Sequence, residues 1–265
     1  NDAGDALFLY GPAGDYGYKN IFRFDFNEKE FQPLFSDLDA DISDWLSDPE
    51  TGEIVIGSSR RGKARHYYAA VESRYQRLHR SLVRAYENQT LTIMSQSQNG
   101  KQLILRASSD VDPGSIFVFD TETKRADFFW ANRSWMDPKS MRPMQIDEVP
   151  TEDGFSIPVR LTLPEVAGPV PLVVNPHGGP HGISDDWGFN YETQLLASRG
   201  YAVLQINFRG SGGLGKNFEE AGHKEWGGKM IDDIAAATRW ALSRQDIDEE
   251  RVCAYGASYG AYASY

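Results

Sequence analysis

Residues 251–260 read Arg-Val-Cys-Ala-Tyr-Gly-Ala-Ser-Tyr-Gly and join a short apolar run to a G-x-S-x-G motif. A serine between two glycines, directly after a buried strand, is typical of a nucleophile elbow. This turn is so tight that larger flanking side chains would collide, and it lifts the serine hydroxyl clear of the sheet. We therefore predict that Ser258 is a catalytic nucleophile and that Gly256 and Gly260 support its turn. The alternative is a small-residue turn that packs a helix on a strand.

A second glycine motif, His177-Gly178-Gly179-Pro180-His181, ends an earlier apolar run. Loops of this kind turn backbone amides towards the oxyanion that develops during acyl transfer. We predict that the amide of Tyr259 donates one hydrogen bond to the oxyanion and that of Gly179 the other, with Gly178 as the next candidate. A histidine inside such a loop is more often structural than catalytic, so we do not assign His177 as the general base.

The elbow follows a regular succession of apolar runs and helical patterns. Residues 171–175 and 201–206 are apolar runs suited to strands that are buried on both faces. Residues 187–199 and 231–242 have apolar side chains at helical spacing. Strand, helix, strand, helix, strand indicates an open parallel sheet with helices on both faces. We predict this domain over residues 136–265, after a linker marked by prolines.

The first half of the chain alternates short β-type runs with turn signals and shows no convincing long amphipathic helix. The β-type runs that recur are residues 21–25, 54–56, 67–71, 103–105 and 116–120. Equivalent runs are spaced by about 45 to 50 residues, a period that is typical of β-propeller blades. We predict that residues 1–135 form a partial propeller of about two to three blades, and an ordinary antiparallel sandwich is the alternative.

Composition argues against polyanionic partners and metal sites. The chain has 27 Lys and Arg against 38 Asp and Glu, a formal net charge of -11, so we expect neither nucleic acid nor a membrane as a partner. The single cysteine, Cys253, excludes an internal disulfide, and we expect it to be buried in the strand before the elbow. His66, His79 and His223 are dispersed and are expected at a surface or an interface. We expect no cofactor and no metal ion.

Two phosphate-binding patterns overlap after the second apolar run, and both fail on context. Gly210-Ser211-Gly212-Gly213-Leu214-Gly215 satisfies G-x-G-x-x-G, but the acidic residue that should end the next strand, Asp232, lies at the start of a helical pattern. The same glycines with Lys216 resemble a phosphate loop, in which Asn217 replaces the hydroxyl that would bind magnesium. We interpret the stretch as a flexible loop that lines a cleft.

These motifs together resemble the prolyl oligopeptidase family, which couples a β-propeller to an α/β hydrolase domain. The stretches that carry the resemblance are residues 177–181, 207–215, 226–233 and 256–260. The resemblance implies the N-terminal half of an α/β hydrolase, a mostly parallel sheet with flanking helices, preceded by the last blades of a propeller. It also implies hydrolysis of short peptides through an acyl-enzyme on Ser258. Tyr259 after the serine and the H-G-G-P loop look most like the dipeptidyl and acylaminoacyl peptidase branches.

The family's triad runs in the order Ser, Asp, His, and only seven residues follow Ser258 here. The resemblance therefore predicts a fragment that supplies the nucleophile and the oxyanion hole, lacks the Asp and the His, and is inactive alone. Its first residues also read like the middle of a domain, and either the cytoplasm or the periplasm fits the sequence. A carboxylesterase and a non-catalytic interaction module on the same scaffold are the alternatives.

Overall fold

A computed structural model describes residues 1–265, and the first half of the chain consists of three small antiparallel sheets. The first sheet contains β1 (Ala6–Ala13), β2 (Tyr18–Asp25) and β3 (Glu30–Phe35). The second contains β4 (Ile42–Ser47), β5 (Ile54–Ser59) and β6 (Arg65–Tyr68). The third contains β7 (Thr90–Gln96), β8 (Gln102–Ser108), β9 (Ser115–Asp120) and β10 (Ala126–Ala131). In each sheet, strands that follow one another along the chain pair side by side.

The predicted repeat corresponds to equivalent strands in the second and third sheets but not in the first, where the run at residues 21–25 lies in the second strand, β2. The runs at residues 54–56 and 103–105 lie in β5 and β8, which are the second strands of their sheets. The runs at residues 67–71 and 116–120 coincide with the third strands, β6 and β9, although β6 ends at Tyr68. The structure thus has three successive small antiparallel sheets where the sequence predicts two to three blades.

A helix that the sequence analysis did not predict, α1 (Arg74–Ala85), connects the second and third sheets. A capping box starts it: Ser73 Oγ accepts from the Gln76 N–H, and the Gln76 side chain accepts from the Ser73 N–H. The expectation of no long amphipathic helix was wrong. The apolar residues Tyr75, Leu78 and Leu82 do recur at helical spacing, but they stand among arginines and other polar residues, so the segment as a whole is hydrophilic.

His79 corrects a second expectation, since it is buried at 2% exposure and not at a surface. Its Nδ1 lies 2.9 Å from the Tyr68 hydroxyl, and its ring meets that of His66 edge-on at 4.9 Å. Burial, and then the neighbouring His66, lower the pKa of His79 to about 3. The imidazole is therefore neutral at physiological pH.

The second half of the chain forms a five-stranded mixed sheet in the order β11-β12-β14-β13-β15. Its strands are β11 (Met144–Pro150), β12 (Ser156–Thr162), β13 (Val170–Pro176), β14 (Ala202–Ile206) and β15 (Ile247–Ala254). Its helices are α2 (Tyr191–Ser198), α3 (Lys216–Glu220), α4 (Lys229–Leu242) and α5 (Tyr259–Ser264). β13 is parallel to β14 and β15, whereas β12 is antiparallel to β11 and β14. The predicted order of strands and helices from residue 171 onwards is confirmed.

The core of this half lies on the inner strands of the sheet. Every residue of β14 is buried, because β14 has β12 on one side and β13 on the other. Leu172 and Leu204 on the inner strands pack in one cluster with Phe208 and with Met230 of α4. This packing fixes the ends of β13 and β14, from which the glycine motifs project.

Cys253 differs from its prediction as a buried core residue, because its side chain is exposed. It lies on β15, which pairs with β13 alone and is an edge of the sheet. The adjacent Val252 is also exposed. An apolar strand buries its side chains only where other elements cover it, and the sequence of the strand does not report that cover.

No helix of the structure is long and apolar enough to cross a membrane.

Candidate active site

Ser258 occupies the turn between β15 and α5, with φ 55° and ψ −121°. Positive φ is costly for a residue with a Cβ, by about 1–3 kcal/mol, and persists only where the surrounding structure enforces it. The strained strand-to-helix turn predicted from the motif is therefore confirmed. The Ser258 side chain is exposed, so an incoming molecule can reach its hydroxyl.

The two glycines of the motif lie where a side chain would collide with backbone. A Cβ on Gly256 would lie 2.6 Å from the carbonyl carbon of Gly260. A Cβ on Gly260 would lie 2.1 Å from the carbonyl oxygen of Pro176, at the end of β13. Both distances are shorter than any van der Waals contact, so the turn can pack against β13 only with glycine at these positions.

The loop after β13, residues 177–183, lies beside the nucleophile and is called the oxyanion loop below. A Cβ built on Gly178 would lie 4.0 Å from Ser258 Oγ, which places this glycine next to the hydroxyl. Gly179 has φ 124°, a conformation that side chains rarely adopt. Tyr259 is the first residue of α5 and follows Ser258 directly, so its N–H lies at the start of this helix, beside the nucleophile. The structure thus brings together the four residues predicted for the nucleophile and the oxyanion hole.

His177 orients the oxyanion loop. Its Nδ1–H donates to the Gly178 carbonyl at 2.8 Å, and its Nε2 lies 2.9 Å from Ser211 Oγ. The carbonyl and N–H of one trans peptide point in opposite directions, so this hydrogen bond directs the Gly179 N–H away from His177. The ring also stacks on Phe208, with centroids 4.4 Å apart.

Both nitrogens of His177 are therefore engaged within the protein. Burial lowers the pKa of His177, which keeps the imidazole neutral at physiological pH. The geometry agrees with the expectation that this histidine is structural and not the general base.

Trp226 links the oxyanion loop to the elbow, a role that the sequence did not indicate. Its indole N–H donates to His181 Nε2 at 3.2 Å, and its carbonyl accepts from the Tyr259 hydroxyl at 2.7 Å. Its ring also meets that of Tyr259 at 5.8 Å. A Cβ on Gly227 would lie 2.9 Å from the Tyr262 hydroxyl, so the Trp-Gly pair fits closely against α5. The only sequence signal was that both residues lie in the stretch 226–233, one of those that carry the family resemblance.

Arg209 anchors the segment that follows β14. Its Nε and Nη2 donate to the two carboxylate oxygens of Asp233 at 2.8 and 2.7 Å, and its backbone N–H donates to the same carboxylate at 2.9 Å. Arg209 and Asp233 are both buried. Asp153 in the β11–β12 turn accepts from Arg209 at 2.8 and 3.2 Å. The hydrogen bonds to Asp233 raise the pKa of Arg209, and those from Arg209 lower the pKa of Asp153.

The segment Gly210–Gly215 is largely buried, which corrects its interpretation as a flexible loop. A Cβ on Gly210 would lie 2.5 Å from the methyl carbon of Met230, so this glycine permits close packing on α4. The residues of the structure form no cluster of three or more histidine, cysteine or acidic side chains that could hold a metal ion.

Sequence comparison shows which known proteins this chain resembles. Residues 187–265 match the profile of the prolyl oligopeptidase family. Dipeptidyl aminopeptidase BIII of Pseudoxanthomonas mexicana is 31% identical over 255 residues, which cover 92% of this chain and 36% of that protein. Dipeptidyl peptidase family member 6 of Caenorhabditis elegans is 28% identical over 278 residues, which cover 96% of this chain and 37% of that protein. The chain therefore spans little more than a third of the length of these relatives.

Solved structures share the fold across almost the whole chain. Acylaminoacyl peptidase of Pyrococcus horikoshii superposes with a TM-score of 0.67 at 20% identity, covering 98% of this chain and 40% of that one. A prolyl endopeptidase superposes with a TM-score of 0.71 at 16% identity, covering 98% of this chain and 38% of that one. At this identity the structures speak for the fold alone.

Proposed function

This chain belongs to the prolyl oligopeptidase family, and from that premise we propose that the complete protein is a serine peptidase that hydrolyses short peptides through an acyl-enzyme on Ser258. The observation that carries the proposal is the exposed Ser258 on a turn with φ 55°, next to the glycines of the oxyanion loop. The names of the relatives, a dipeptidyl aminopeptidase and an acylaminoacyl peptidase, favour peptides as the substrate class.

We further propose that residues 1–135 are a partial β-propeller and that residues 136–265 are the N-terminal half of an α/β hydrolase domain. Three successive antiparallel meanders support the first part, and the parallel strands β13, β14 and β15 with their connecting helices support the second. In this arrangement the propeller would restrict the substrates that reach Ser258 to short peptides.

The proposed chemistry begins with attack of Ser258 Oγ on the carbonyl carbon of the scissile peptide bond. The carbonyl oxygen becomes an oxyanion, which the N–H groups of Tyr259 and Gly179 bind. Collapse of this intermediate releases the amine and leaves an ester on Ser258, which water hydrolyses in a second step. One oxyanion donor of this kind contributes about 10²–10³-fold to kcat. Gly178 remains the alternative donor, because it is the glycine nearest to the hydroxyl.

No histidine of the chain is hydrogen-bonded to the Ser258 hydroxyl. His177 and His181 are hydrogen-bonded to Ser211 and Trp226, and His79 lies among the small sheets. We propose that the orienting aspartate and then the histidine come from sequence beyond residue 265, because in this architecture the serine precedes both of them along the chain. The match covers only 36% of Dipeptidyl aminopeptidase BIII, which is compatible with further sequence after residue 265.

Kinetics on the complete gene product test the proposal. We expect turnover of dipeptidyl or acyl-aminoacyl anilides, abolished by Ser258→Ala and retained by the control Ser264→Ala. Ser264 lies at the opposite end of α5, and its hydroxyl donates to the Gly260 carbonyl. Activity that survives Ser258→Ala would refute the assignment of the nucleophile. Turnover of esters without turnover of peptides would favour the carboxylesterase alternative.

A further inference from the structure

The segment of residues 210–216, called the glycine-rich loop below, has no part in the proposed chemistry, yet it contacts the oxyanion loop directly. Ser211 Oγ lies 2.9 Å from Nε2 of His177, the residue that holds the Gly178 carbonyl. Ser211 is fully buried, and its hydroxyl oxygen also lies 2.6 Å from the Phe208 carbonyl. The position of Ser211 therefore influences the orientation of His177.

A second contact joins the two loops through their backbones. The N–H of Gly212 donates to the Ile183 carbonyl at 3.1 Å, and the N–H of Gly182 donates to the Gly210 carbonyl at 3.0 Å. A Cβ on Gly212 would lie 2.5 Å from the Gly182 carbonyl oxygen, so only glycine permits this approach. The loops are thus held as a pair, and a shift of one is transmitted to the other.

The other side of the glycine-rich loop contacts the β1–β2 turn of the first sheet and Asp41, which lies between the first and second sheets. The N–H of Asp41 donates to the Gly213 carbonyl at 3.0 Å, and the N–H of Lys216 donates to the Gly17 carbonyl at 3.0 Å. A Cβ on Gly215 would lie 2.8 Å from a backbone oxygen in the β1–β2 turn. The contacts on this side of the glycine-rich loop are therefore also between backbone atoms.

An ion pair lies beside these backbone contacts and links β2 to α3. Lys19 Nζ on β2 lies 3.2 Å from Glu219 Oε2 on α3 and 3.8 Å from Asp41 Oδ2. The Lys19 N–H also donates to Asp41 Oδ1 at 2.8 Å. The Asp41 side chain is 4% exposed, and those of Lys19 and Glu219 are about a third exposed, so solvent screens this cluster less than a free surface pair.

We propose that the glycine-rich loop is a positioning element that couples the docking of the first sheet to the geometry of the oxyanion hole, with the Lys19–Glu219 ion pair as its latch. The inference rests on the proposed function of Ser258. When the latch opens, the glycine-rich loop loses its anchor at Asp41, and Ser211 no longer fixes His177. The Gly179 amide then loses the direction that the Gly178 carbonyl imposes on it.

Charge reversal in the complete protein tests the latch. Lys19→Glu sets a third carboxylate against Asp41 and Glu219, and misplacing an oxyanion donor should lower kcat about 10-fold with KM unchanged. Hydrogen exchange of residues 177–183 should accelerate. Adding Glu219→Lys restores an opposite-charge pair and should return kcat to within about 3-fold of the unmodified protein and slow the exchange again.

Lys101→Glu is the matched control, because Lys101 pairs with Glu122 at 2.9 Å on the third sheet, away from both loops. It should change neither kcat nor exchange in residues 177–183. Unchanged kcat and exchange in Lys19→Glu would overturn the proposal, and so would a loss that Glu219→Lys does not rescue. If Lys19→Glu fails to fold, Lys19→Met is measured instead, and unchanged kcat and exchange in that variant would overturn the proposal.

The failure of this inference can be distinguished from failure of the proposed function. If the unmodified protein neither turns over peptides nor reacts with a fluorophosphonate, the proposed function is wrong. The exchange measurements then still decide whether docking of the first sheet controls the oxyanion loop, because they do not depend on activity.

Discussion

Replacing Asp233 by asparagine removes the negative charge that pairs with Arg209. The adjacent carboxylate, Asp232, offers a matched control. The Asp233 carboxylate accepts three hydrogen bonds from Arg209, at 2.7, 2.8 and 2.9 Å, and both residues are buried. Breaking a buried ion pair costs about 3–5 kcal/mol, because the remaining charge stays out of water. Asp153 still binds Arg209 in the variant, so we expect the lower end of this range, about 3 kcal/mol.

The control is Asp232→Asn, the same substitution one residue earlier. Asp232 pairs with Lys229 at 3.3 Å, and both side chains are more than half exposed. Exposed pairs within a helix contribute about 0.3–0.5 kcal/mol, so the control should be nearly neutral.

Equilibrium unfolding in urea, followed by tryptophan fluorescence, measures both variants. The midpoint of Asp233→Asn should fall clearly below that of Asp232→Asn. In a thermal scan, a loss of about 3 kcal/mol corresponds to roughly 6–12 °C for a chain of this size. Equal midpoints for the two variants would refute the reading of Arg209 and Asp233 as a buried, mutually dependent pair.

Three further outcomes are expected. His177→Ala frees the Gly178 carbonyl, so kcat of the complete protein should fall by about 10–100-fold at constant KM; a change in KM alone would contradict this. His79 has a folded pKa of about 3, below its ordinary unfolded value, so the unfolded chain binds more protons between these values. The free energy of unfolding should therefore decrease as the pH is lowered below about 6.5, by up to about 1.4 kcal/mol per pH unit. His79→Gln should make the urea midpoint depend less on pH, whereas His223→Gln, at an exposed position, should not. Cys253 of the 265-residue chain should react with a thiol reagent as fast as a free thiol, and protection before unfolding would contradict its exposed position.

The elbow could be predicted from the sequence because its constraints are local. Gly256 and Gly260 lie within two residues of Ser258, and the collisions that exclude other residues arise inside the turn or with the adjacent strand. The strands before it were predictable for a similar reason, since β13 and β14 are short apolar runs that are buried on both faces.

The remaining features depend on partners that are distant in the sequence. The contact between Arg209 and Asp153 spans 56 residues, and no short pattern announces it. The exposure of Cys253 depends on whether another element covers β15. The helix α1 was missed although its apolar residues recur at helical spacing, because the segment is rich in arginine and two of its buried residues, His79 and Gln76, are polar. These two are paired to groups of the neighbouring strands, which the sequence does not show.

The glycine-rich loop shows the same limit. Its glycines suggest freedom when they are read alone, whereas a Cβ on Gly212 or Gly215 would lie only 2.5 or 2.8 Å from another part of the backbone. A sequence cannot distinguish a glycine that gives mobility from one that permits close packing, because the approaching chain comes from elsewhere in the fold.

Labelling of the complete protein with a fluorophosphonate, followed by mass spectrometry of the modified peptide, tests the central assignment most directly. The account predicts one adduct, on Ser258, that is absent in Ser258→Ala and present in Ser264→Ala. It also predicts no adduct on the 265-residue chain alone, because a serine without its general base remains a weak nucleophile. An adduct on a different serine, or turnover of peptides by Ser258→Ala, would contradict the account.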